Sequence, residues 1–116
     1  MVNTVDEGGR AESTVANTGA RFELRVDGTV AGFTEFFEHE GKRVFYHTEI
    51  GEAFGGRGLG KVLASGALNQ TREDGLRIVA ICPFIKGYLS KNHEYDDIVD
   101  LVTPDIAAVY RADFGQ

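Results

Sequence analysis

Apolar and polar residues alternate along the first part of the chain with the period of a half-buried β-strand. Residues 21–26 place phenylalanine, leucine and valine at every second position, between charged residues. An Asp-Gly pair at 27–28, the strongest short signal for a hairpin, ends this run. Runs at 29–39 and 43–50 follow, separated by a Glu-Gly pair. The pattern therefore predicts three strands in an antiparallel meander.

The third run carries apolar or aromatic residues on both parities, which predicts a central strand covered on both faces. Residues 51–60 then contain five glycines, and helical spacing begins at Leu59 and ends at Gly75. A β-branched apolar run at 76–81 is typical of a buried strand. Strand, glycine turn, helix and strand form a right-handed βαβ crossover with parallel strands. We expect an α/β fold with a mixed (α+β) sheet, a meander followed by a crossover.

Two shorter helices are predicted after the crossover. A proline halts the strand, and residues 84–91 follow the spacing of a short helix that turns Phe84 and Tyr88 inward. A Thr-Pro-Asp sequence at 103–105 combines an N-cap residue, a proline at the first helical position and an acid in the first turn. A closing helix to about residue 111 is therefore predicted.

The beginning of the chain has a different composition. Residues 1–19 are rich in Gly, Ser, Thr, Asn and acidic side chains and show no apolar period, so they bury too little to offset their ordering entropy. We expect a flexible N-terminal tail there. A chain of 116 residues with 42% hydrophobic residues suffices for one core and is too short for two. Residues 20–116 are therefore predicted to form a single domain.

Charge and cysteine content narrow the function classes. Eighteen acidic against twelve basic residues, with no cluster of Lys and Arg, argue against a nucleic-acid partner and suit a cationic substrate such as an amine. The single cysteine forms no intramolecular disulfide, and no apolar run approaches the ~20 residues of a membrane span. One Cys and three dispersed His show no zinc-ligand spacing, so no metal is expected. We expect a cytoplasmic protein without membrane contact.

The glycine-rich turn at 55–60 lies between a strand and a helix. Glycines let backbone N–H groups surround an anion and the helix dipole adds attraction, although a merely flexible connection has the same composition. Its place in the crossover is the usual ligand crevice of α/β folds. Val62 stands where a nucleotide triphosphatase needs Ser or Thr for magnesium, and Leu63 stands where the dinucleotide pattern needs glycine. Both of those nucleotide sites are excluded.

Three segments in this order resemble the minimal GNAT-type N-acetyltransferases, a group of very short proteins. They are His-Thr-Glu-Ile at 47–50, Gly-Arg-Gly-Leu-Gly at 56–60 and Cys-Pro-Phe-Ile-Lys-Gly-Tyr-Leu at 82–89. The resemblance covers residues 22–99, and the ordered set is much more specific than any one segment. It implies a mixed sheet in which a central strand and the element after it splay to admit a cofactor.

The resemblance also implies acetyl-coenzyme A as co-substrate. In the family's turn, Gln/Arg-x-x-Gly-x-Gly/Ala, backbone amides hold the pyrophosphate of this molecule. Here Gly55 stands where Gln or Arg is usual, so a side-chain contact is lost while the backbone cradle is kept. The implied pyrophosphate site consists of Gly55, Gly56, Arg57, Gly58, Leu59 and Gly60. Glu49 and Ile50 are implied to offer main-chain hydrogen bonds to the pantetheine arm, which lies like an added strand.

Acetyl transfer to an amine needs a deprotonated nucleophile, a polarised carbonyl and an acid for the leaving thiolate. Cys82 could accept the acetyl group or protonate the leaving sulfur, or it is a small buried thiol. His47, expected on the opposite side of its strand from Tyr46 and Thr48, is a base or a core histidine. Tyr88 either supplies a phenolic proton, as a tyrosine does in many GNAT enzymes, or packs in the core.

Two function classes follow. The first is an enzyme that transfers an acetyl group from acetyl-coenzyme A to an unidentified amine, either a small molecule or a protein amino group. The second is a non-catalytic module that binds acetyl-coenzyme A for regulation or interaction. The second class is motivated by residues 1–19, which cannot form the N-terminal helices that wall the acceptor site in larger GNAT enzymes. An open acceptor side also suits a macromolecular substrate, so both classes stay open.

Overall fold

The computed structural model describes residues 13–51 and 58–115. Within them, six strands form one sheet in chain order. The strands are β1 (Ser13–Asn17), β2 (Arg21–Val26), β3 (Thr29–His39), β4 (Lys42–Ile50), β5 (Arg77–Ala80) and β6 (Val99–Asp100). The helices are α1 (Leu59–Glu73), α2 (Pro83–Lys91) and α3 (Pro104–Val109), with a 3₁₀ segment at His93–Ile98 and a π-helical turn at Tyr110–Phe114 that continues α3.

The sheet is mixed, as the pattern predicts. Strands β1 to β4 are antiparallel neighbours, whereas β4 and β5 are parallel and are connected through α1. The hairpin turns rely on glycines with left-handed backbone angles, at Gly28 (φ 84°) and Gly41 (φ 81°). The antiparallel meander and the βαβ crossover are therefore confirmed.

Each face of the sheet packs against different helices. The larger core lies beneath α1 and α2, and the smaller core lies beneath α3. Residues of the larger core include Phe22, Leu24, Phe36, Phe45, Leu63, Leu68, Ile78 and Ile85. The smaller core consists of Phe37, Val44, Val79 and Ile106, with partly buried aromatic neighbours. Strand β4 thus contributes to both cores, which explains its apolar residues on both parities.

The expectation of a flexible tail over residues 1–19 is wrong for its last part. Residues Ser13–Asn17 form the edge strand β1, paired along its whole length with β2. Its only inward apolar side chain, Val15, packs over α1 at Gly66, where an added Cβ would lie 2.8 Å from a Val15 methyl group. One buried side chain in five residues leaves no apolar period, so main-chain pairing and not sequence pattern makes this strand. Residues 1–12 lie outside the described part.

One side-chain expectation is also wrong. Phe84 does not face the core: it is 37% exposed, and α2 buries Ile85 and Leu89. Its ring covers the first turn of α1, with Cζ 3.0 Å from where a Cβ of Gly60 would be. Thr103 is the N-cap residue of α3, as predicted, with Asp105 in the first turn, and its hydroxyl donates a hydrogen bond to Asp105.

A β-bulge in β4 changes which side chains share a face. Phe36 pairs with Phe45, but the preceding Glu35 pairs with His47, so Tyr46 is an extra residue on β4. Phe45 and Thr48 therefore lie on the same face of the sheet, the side of α1 and α2, although they are three positions apart. Ile50 lies on this face as well.

Strands β4 and β5 separate after a short stretch of pairing. Their last paired residues are Phe45 and Ala80, while β4 stays paired with β3 as far as Ile50. Residues 46–50 consequently present one main-chain edge to which no described strand pairs. This divergence creates a cleft beside the start of α1. None of the helices in the described ranges combines the length and apolarity that a membrane span requires.

Candidate active site

The cleft between β4 and β5 begins at a main-chain carbonyl of β4 that accepts hydrogen bonds from two N–H groups. The Phe45 carbonyl accepts two hydrogen bonds, from the main-chain N–H of Ile81 at 2.8 Å and from that of Cys82 at 3.1 Å. The chain of β5 turns away into α2 immediately afterwards. Glu49 and Ile50, implied by the resemblance to hold a pantetheine arm, lie on the open edge of β4 beyond this point. An open strand edge supplies the N–H and C=O groups that such an arm needs.

The glycine turn is described in part. Gly55, Gly56 and Arg57 lie outside the described residues. Gly58 precedes α1 with left-handed angles (φ 72°, ψ 11°), and within residues 13–51 and 58–115 no heavy atom lies within 4 Å of the position of an added Cβ. Leu59 and Gly60 are the first two residues of the helix. Their N–H groups belong to the first turn, which has no intrahelical acceptors and is the usual contact for an anion.

A cavity of about 470 Å³ lies between the first turn of α1 and α2, and we call it the cofactor-side cavity. It is lined by Gly58, Gly60, Lys61, Pro83, Phe84, Gly87, Tyr88, Lys91 and Asn92. Two of the lining residues, Lys61 and Lys91, carry ammonium groups that suit phosphate. They were not predicted from the sequence, although Lys61 directly follows the glycine turn, and that position is a usable signal.

Cys82 lies at the C-terminal end of β5, and its side chain is 3% exposed. Its Sγ is 3.4 Å from the Thr48 hydroxyl, which donates to Thr34 Oγ1 at 2.9 Å. Because the single hydroxyl hydrogen of Thr48 is used in that bond, the thiol is the donor in the contact with Thr48. The thiol lies at the N-terminal end of α2, where a nearby negative charge is stabilised.

Tyr88 is half-buried on α2 and lines the cofactor-side cavity. Burial raises the pKa of its phenol, with a smaller contribution from the negative charge of Glu94. The phenol is therefore protonated at neutral pH and can donate a hydrogen bond into the cavity. Cys82 and Tyr88 both lie on the α1 and α2 side of the sheet.

His47 is neither a core histidine nor on the side of Cys82. Its side chain is 48% exposed, and Nε2 lies 2.7 Å from Glu49 Oε2. The prediction that it faces away from Tyr46 is wrong, because the bulge brings both residues to the same cavity on the α3 side. A histidine hydrogen-bonded to a carboxylate is oriented to accept a proton through its other nitrogen.

That second cavity, which we call the aromatic cavity, has a volume of about 240 Å³. It is lined by Glu35, Tyr46, His47, Tyr110 and Phe114. Burial raises the pKa of the Tyr46 phenol, and the neighbouring charge of Glu35 adds to the effect. The sequence pattern did not indicate this cavity, since Tyr110 and Phe114 are more than sixty positions from Tyr46 and a π-helical turn sets their direction.

The predicted catalytic residues are therefore divided between the two faces of the sheet. Cys82 and Tyr88 lie on the side of the cofactor-side cavity, and His47 lies on the side of the aromatic cavity. The two sides meet at β4, at the point where β5 leaves it. A reacting group placed in the gap between these strands would be accessible from both faces.

Known proteins resemble this chain in sequence and in fold. Residues 21–98 match the model of a family described as GCN5-related N-acetyl-transferase. Protein NATD1 of Homo sapiens is 34% identical over 74 residues, which cover 62% of this chain and 66% of that protein. Protein NATD1 of Mus musculus is 29% identical over 92 residues, covering 78% of this chain and 84% of that protein.

A solved structure has the same fold. The NMR solution structure of a GCN5-like protein from Staphylococcus aureus superposes with a TM-score of 0.60, covering 78% of this chain and 91% of that chain at 24% identity. At this identity the likeness concerns the fold alone.

Proposed function

This chain belongs to the GCN5-related N-acetyltransferase family, and we propose that it transfers the acetyl group of acetyl-coenzyme A to an amine. The observation that carries the proposal is the divergence of β4 from β5 beside the first turn of α1. The edge of β4 is open beyond this point, the first turn of α1 has N–H groups without intrahelical acceptors, and a cavity with two lysines lies beside that turn. The strand edge suits the pantetheine arm, the helix N–H groups suit the pyrophosphate, and the lysines suit a further phosphate.

The cofactor would lie with its pyrophosphate on the residues from Gly55 to Gly60 and its pantetheine arm along Glu49 and Ile50. Gly58 supports this placement, since its left-handed angles, which favour glycine, lead the chain directly into the first turn of α1, whose N–H groups have no intrahelical acceptors. Lys61 and Lys91 add positive charge without closing the cavity. The thioester then reaches the gap where Cys82 and the open edge of β4 meet.

In the transfer step, the amine nitrogen attacks the thioester carbonyl carbon, so a C–N bond forms and the C–S bond breaks. The bonding electron pair leaves on sulfur, and the coenzyme A thiolate takes a proton. We assign that proton to the Cys82 thiol, which donates a hydrogen bond to Thr48. The second proton that the nitrogen loses as the amide forms then restores the Cys82 thiol. The ammonium proton of the acceptor goes to His47, which Glu49 orients on the opposite face.

Calorimetric titration with acetyl-coenzyme A tests the binding half of the proposal. We expect saturable binding at micromolar to millimolar concentration, and no binding at the upper end of that range would refute the function. Release of coenzyme A thiol with a panel of amines tests the catalytic half. Binding without turnover on any amine would instead assign the chain to the alternative class, a non-catalytic module that binds acetyl-coenzyme A.

Variants distinguish the proposed proton donors. Cys82→Ala is expected to lower kcat by at least about a hundredfold, in the range typical of a lost general acid. Tyr88→Phe measures the phenol as a second donor. Tyr95→Phe is the matched control, because Tyr95 is buried on the same side but donates to Asn69 Oδ1 at 2.6 Å. It should lose stability and keep its turnover.

Direct transfer and transfer through a covalent acetyl-cysteine give different products before the amine is added. Mass spectrometry of the protein incubated with acetyl-coenzyme A alone should show no added acetyl group if Cys82 is the acid. An acetyl group on Cys82 that the amine then removes would overturn this role and make the cysteine a nucleophile.

A further inference from the structure

The aromatic cavity has the chemistry of a cation site. We infer that it binds the acceptor as a primary ammonium group at the end of an unbranched alkyl chain, held by the carboxylate of Glu35 and the rings of Tyr46, Tyr110 and Phe114. The inference rests on the proposed function for its catalytic meaning. The binding itself is a property of the cavity and can be measured without acetyl transfer.

Three aromatic rings form the walls. The Tyr46 ring lies 5.8 Å from that of Tyr110 and 5.2 Å from that of Phe114, between ring centroids. Phe114 is supported from behind by Phe37, whose ring is stacked on it at 4.5 Å and 4° between planes. Rings in tilted arrangements around one space present several π-faces to a cation. The rings of the walls therefore pack against one another, and their π-faces suit an ammonium group with its methylene chain.

Glu35 supplies the negative charge. It lines the cavity half-buried, and within residues 13–51 and 58–115 its carboxylate has neither a hydrogen bond nor an ion pair. Its neighbour across the strands, Arg21, does not neutralise it, because the Arg21 guanidinium is bound to Glu23 at 2.8 Å and lies over Phe33. Arg25 is also paired with Glu23, at 2.6 Å. A carboxylate that has no cationic partner in an aromatic pocket suits a bound cation.

The cavity lies where an acceptor is needed. Tyr46 and His47 are the first β4 residues beyond the last pair with β5, and both line the cavity. The bulge at Tyr46 points these two consecutive side chains to the same face. An ammonium bound to Glu35 therefore lies beside the imidazole that takes its proton. The neutral amine then lies on the α3 side of the gap beyond Phe45 and Ala80, where the proposed function puts the thioester.

Two of the rings come from outside the part of the chain that matches the family model. That match ends at residue 98, whereas Tyr110 and Phe114 follow α3 in the π-helical turn. Turns of this kind interrupt a regular helix and are frequent at functional sites. We therefore assign acceptor selection to this C-terminal segment and cofactor recognition to the matched residues.

The shape and charge define the ligand class. A volume of about 240 Å³ with one carboxylate fits one ammonium group on a slender alkyl chain and disfavours a carboxylate-bearing amino acid, which Glu35 would repel. Two sources carry the same chemistry, a free diamine and a lysine side chain of a peptide. The experiment distinguishes them.

The first experiment measures binding by NMR on the full chain with uniform isotope labelling, using pentylamine, cadaverine and a lysine-containing peptide as probes. Pentanol, the uncharged analogue, is the ligand control. We expect shift changes centred on residues 35, 46, 47, 110 and 114, with pentylamine bound and pentanol at least about tenfold weaker. Shift changes centred elsewhere, or equal affinity for pentanol, would overturn the inference.

Variants test the role of each group. Glu35→Gln should weaken pentylamine binding by about tenfold or more, whereas Glu73→Gln, the same charge change at the exposed end of α1, should leave it unchanged. Phe114→Leu keeps the apolar contact with Phe37 and removes a π-face, and should weaken binding severalfold. Equal affinity in Glu35→Gln and wild type would refute the assignment.

The transfer reaction separates this inference from the proposed function. In Glu35→Gln the KM for the amine should rise by about tenfold while the affinity for acetyl-coenzyme A is unchanged. If acetyl-coenzyme A does not bind at all, the proposed function fails, and the NMR titration still decides the cavity. If acetyl transfer proceeds and Glu35→Gln does not change the KM, the proposed function stands and the acceptor site is wrong. Faster transfer to the peptide than to cadaverine would identify a protein lysine as the source.

Discussion

Gly58 offers the sharpest test of the pyrophosphate site, because its replacement changes only the conformational energy of the backbone at this residue. Its backbone is left-handed at φ 72°, and an added Cβ would meet no heavy atom of the described residues within 4 Å. Gly58→Ala therefore introduces backbone strain of about 1–2 kcal/mol without a clash against that part of the chain. Gly41 is a matched control, with φ 81° and the same open surroundings in the turn between β3 and β4.

The strain can be measured in two quantities. If Gly58→Ala keeps the left-handed angle, the free energy of unfolding falls by about 1–2 kcal/mol. If the variant relaxes to another angle, stability is kept and the strain is imposed on cofactor binding, which weakens the affinity for acetyl-coenzyme A by about fivefold to thirtyfold. In either case, the loss in the free energy of unfolding and the loss in the free energy of cofactor binding should sum to the backbone strain. In Gly41→Ala the whole loss should appear in unfolding, since that turn is remote from the cofactor-side cavity.

Urea unfolding monitored by circular dichroism and calorimetric titration with acetyl-coenzyme A measure the two quantities on the same samples. We expect the summed loss in Gly58→Ala to match the unfolding loss in Gly41→Ala. The reasoning is refuted if Gly58→Ala changes neither stability nor affinity, or if Gly41→Ala weakens cofactor binding as much as Gly58→Ala does.

Two further predictions concern stability. The Thr103 hydroxyl and then His39 hold the pKa of Asp105 down from 3.8 to about 2, so the carboxylate stabilises the fold above its ordinary pKa and this contribution is lost as pH falls toward 2. Asp105→Asn should therefore be less stable than wild type in urea at neutral pH, and equally stable near pH 2. Gly66→Ala should lose about 1 kcal/mol, because crowding against Val15 exceeds the gain in helix propensity. An increase in its thermal midpoint would show that β1 is not held against α1.

Local signals predicted the order of elements well. The Asp-Gly pair ended β2 at its observed last residue, and the glycine at 75 ended α1 within two residues of the prediction. The mixed sheet and the resemblance to GNAT-type N-acetyltransferases are both confirmed. These features depend on turn chemistry and short-range periodicity, which a single sequence contains.

The remaining features depend on contacts between distant parts of the chain. Strand β1 has one inward apolar residue and exists through its pairing with β2. The short strand β6 pairs with β5 through two residues only, too few for a period. The exposure of Phe84 follows from the approach of α2 to α1. None of these leaves a local trace, so no reading of the sequence pattern alone could include them.

The candidate site also has one part that the sequence pattern indicates and one part that depends on contacts between distant residues. The cofactor side rests on a contiguous glycine segment, and the roles of Gly55 to Gly60, Glu49 and Ile50 remain predictions for the experiments above. The direction of His47 depended on strict alternation along β4, which the bulge at Tyr46 interrupts. The aromatic cavity combines a mid-sheet position with a C-terminal helix, so only the folded chain brings its groups together.

That bulge also determines how the gene can change. Deleting Tyr46 would restore strict alternation and leave Thr48 and Ile50 facing Cys82 and the larger core, because Tyr46 is the extra residue of the bulge. A one-codon deletion after the bulge would instead exchange the faces of the β4 residues that follow it. We expect length variation among descendants of this chain to be confined within β4 to position 46 and to be tolerated at the hairpin turns, where it changes the face of no strand residue.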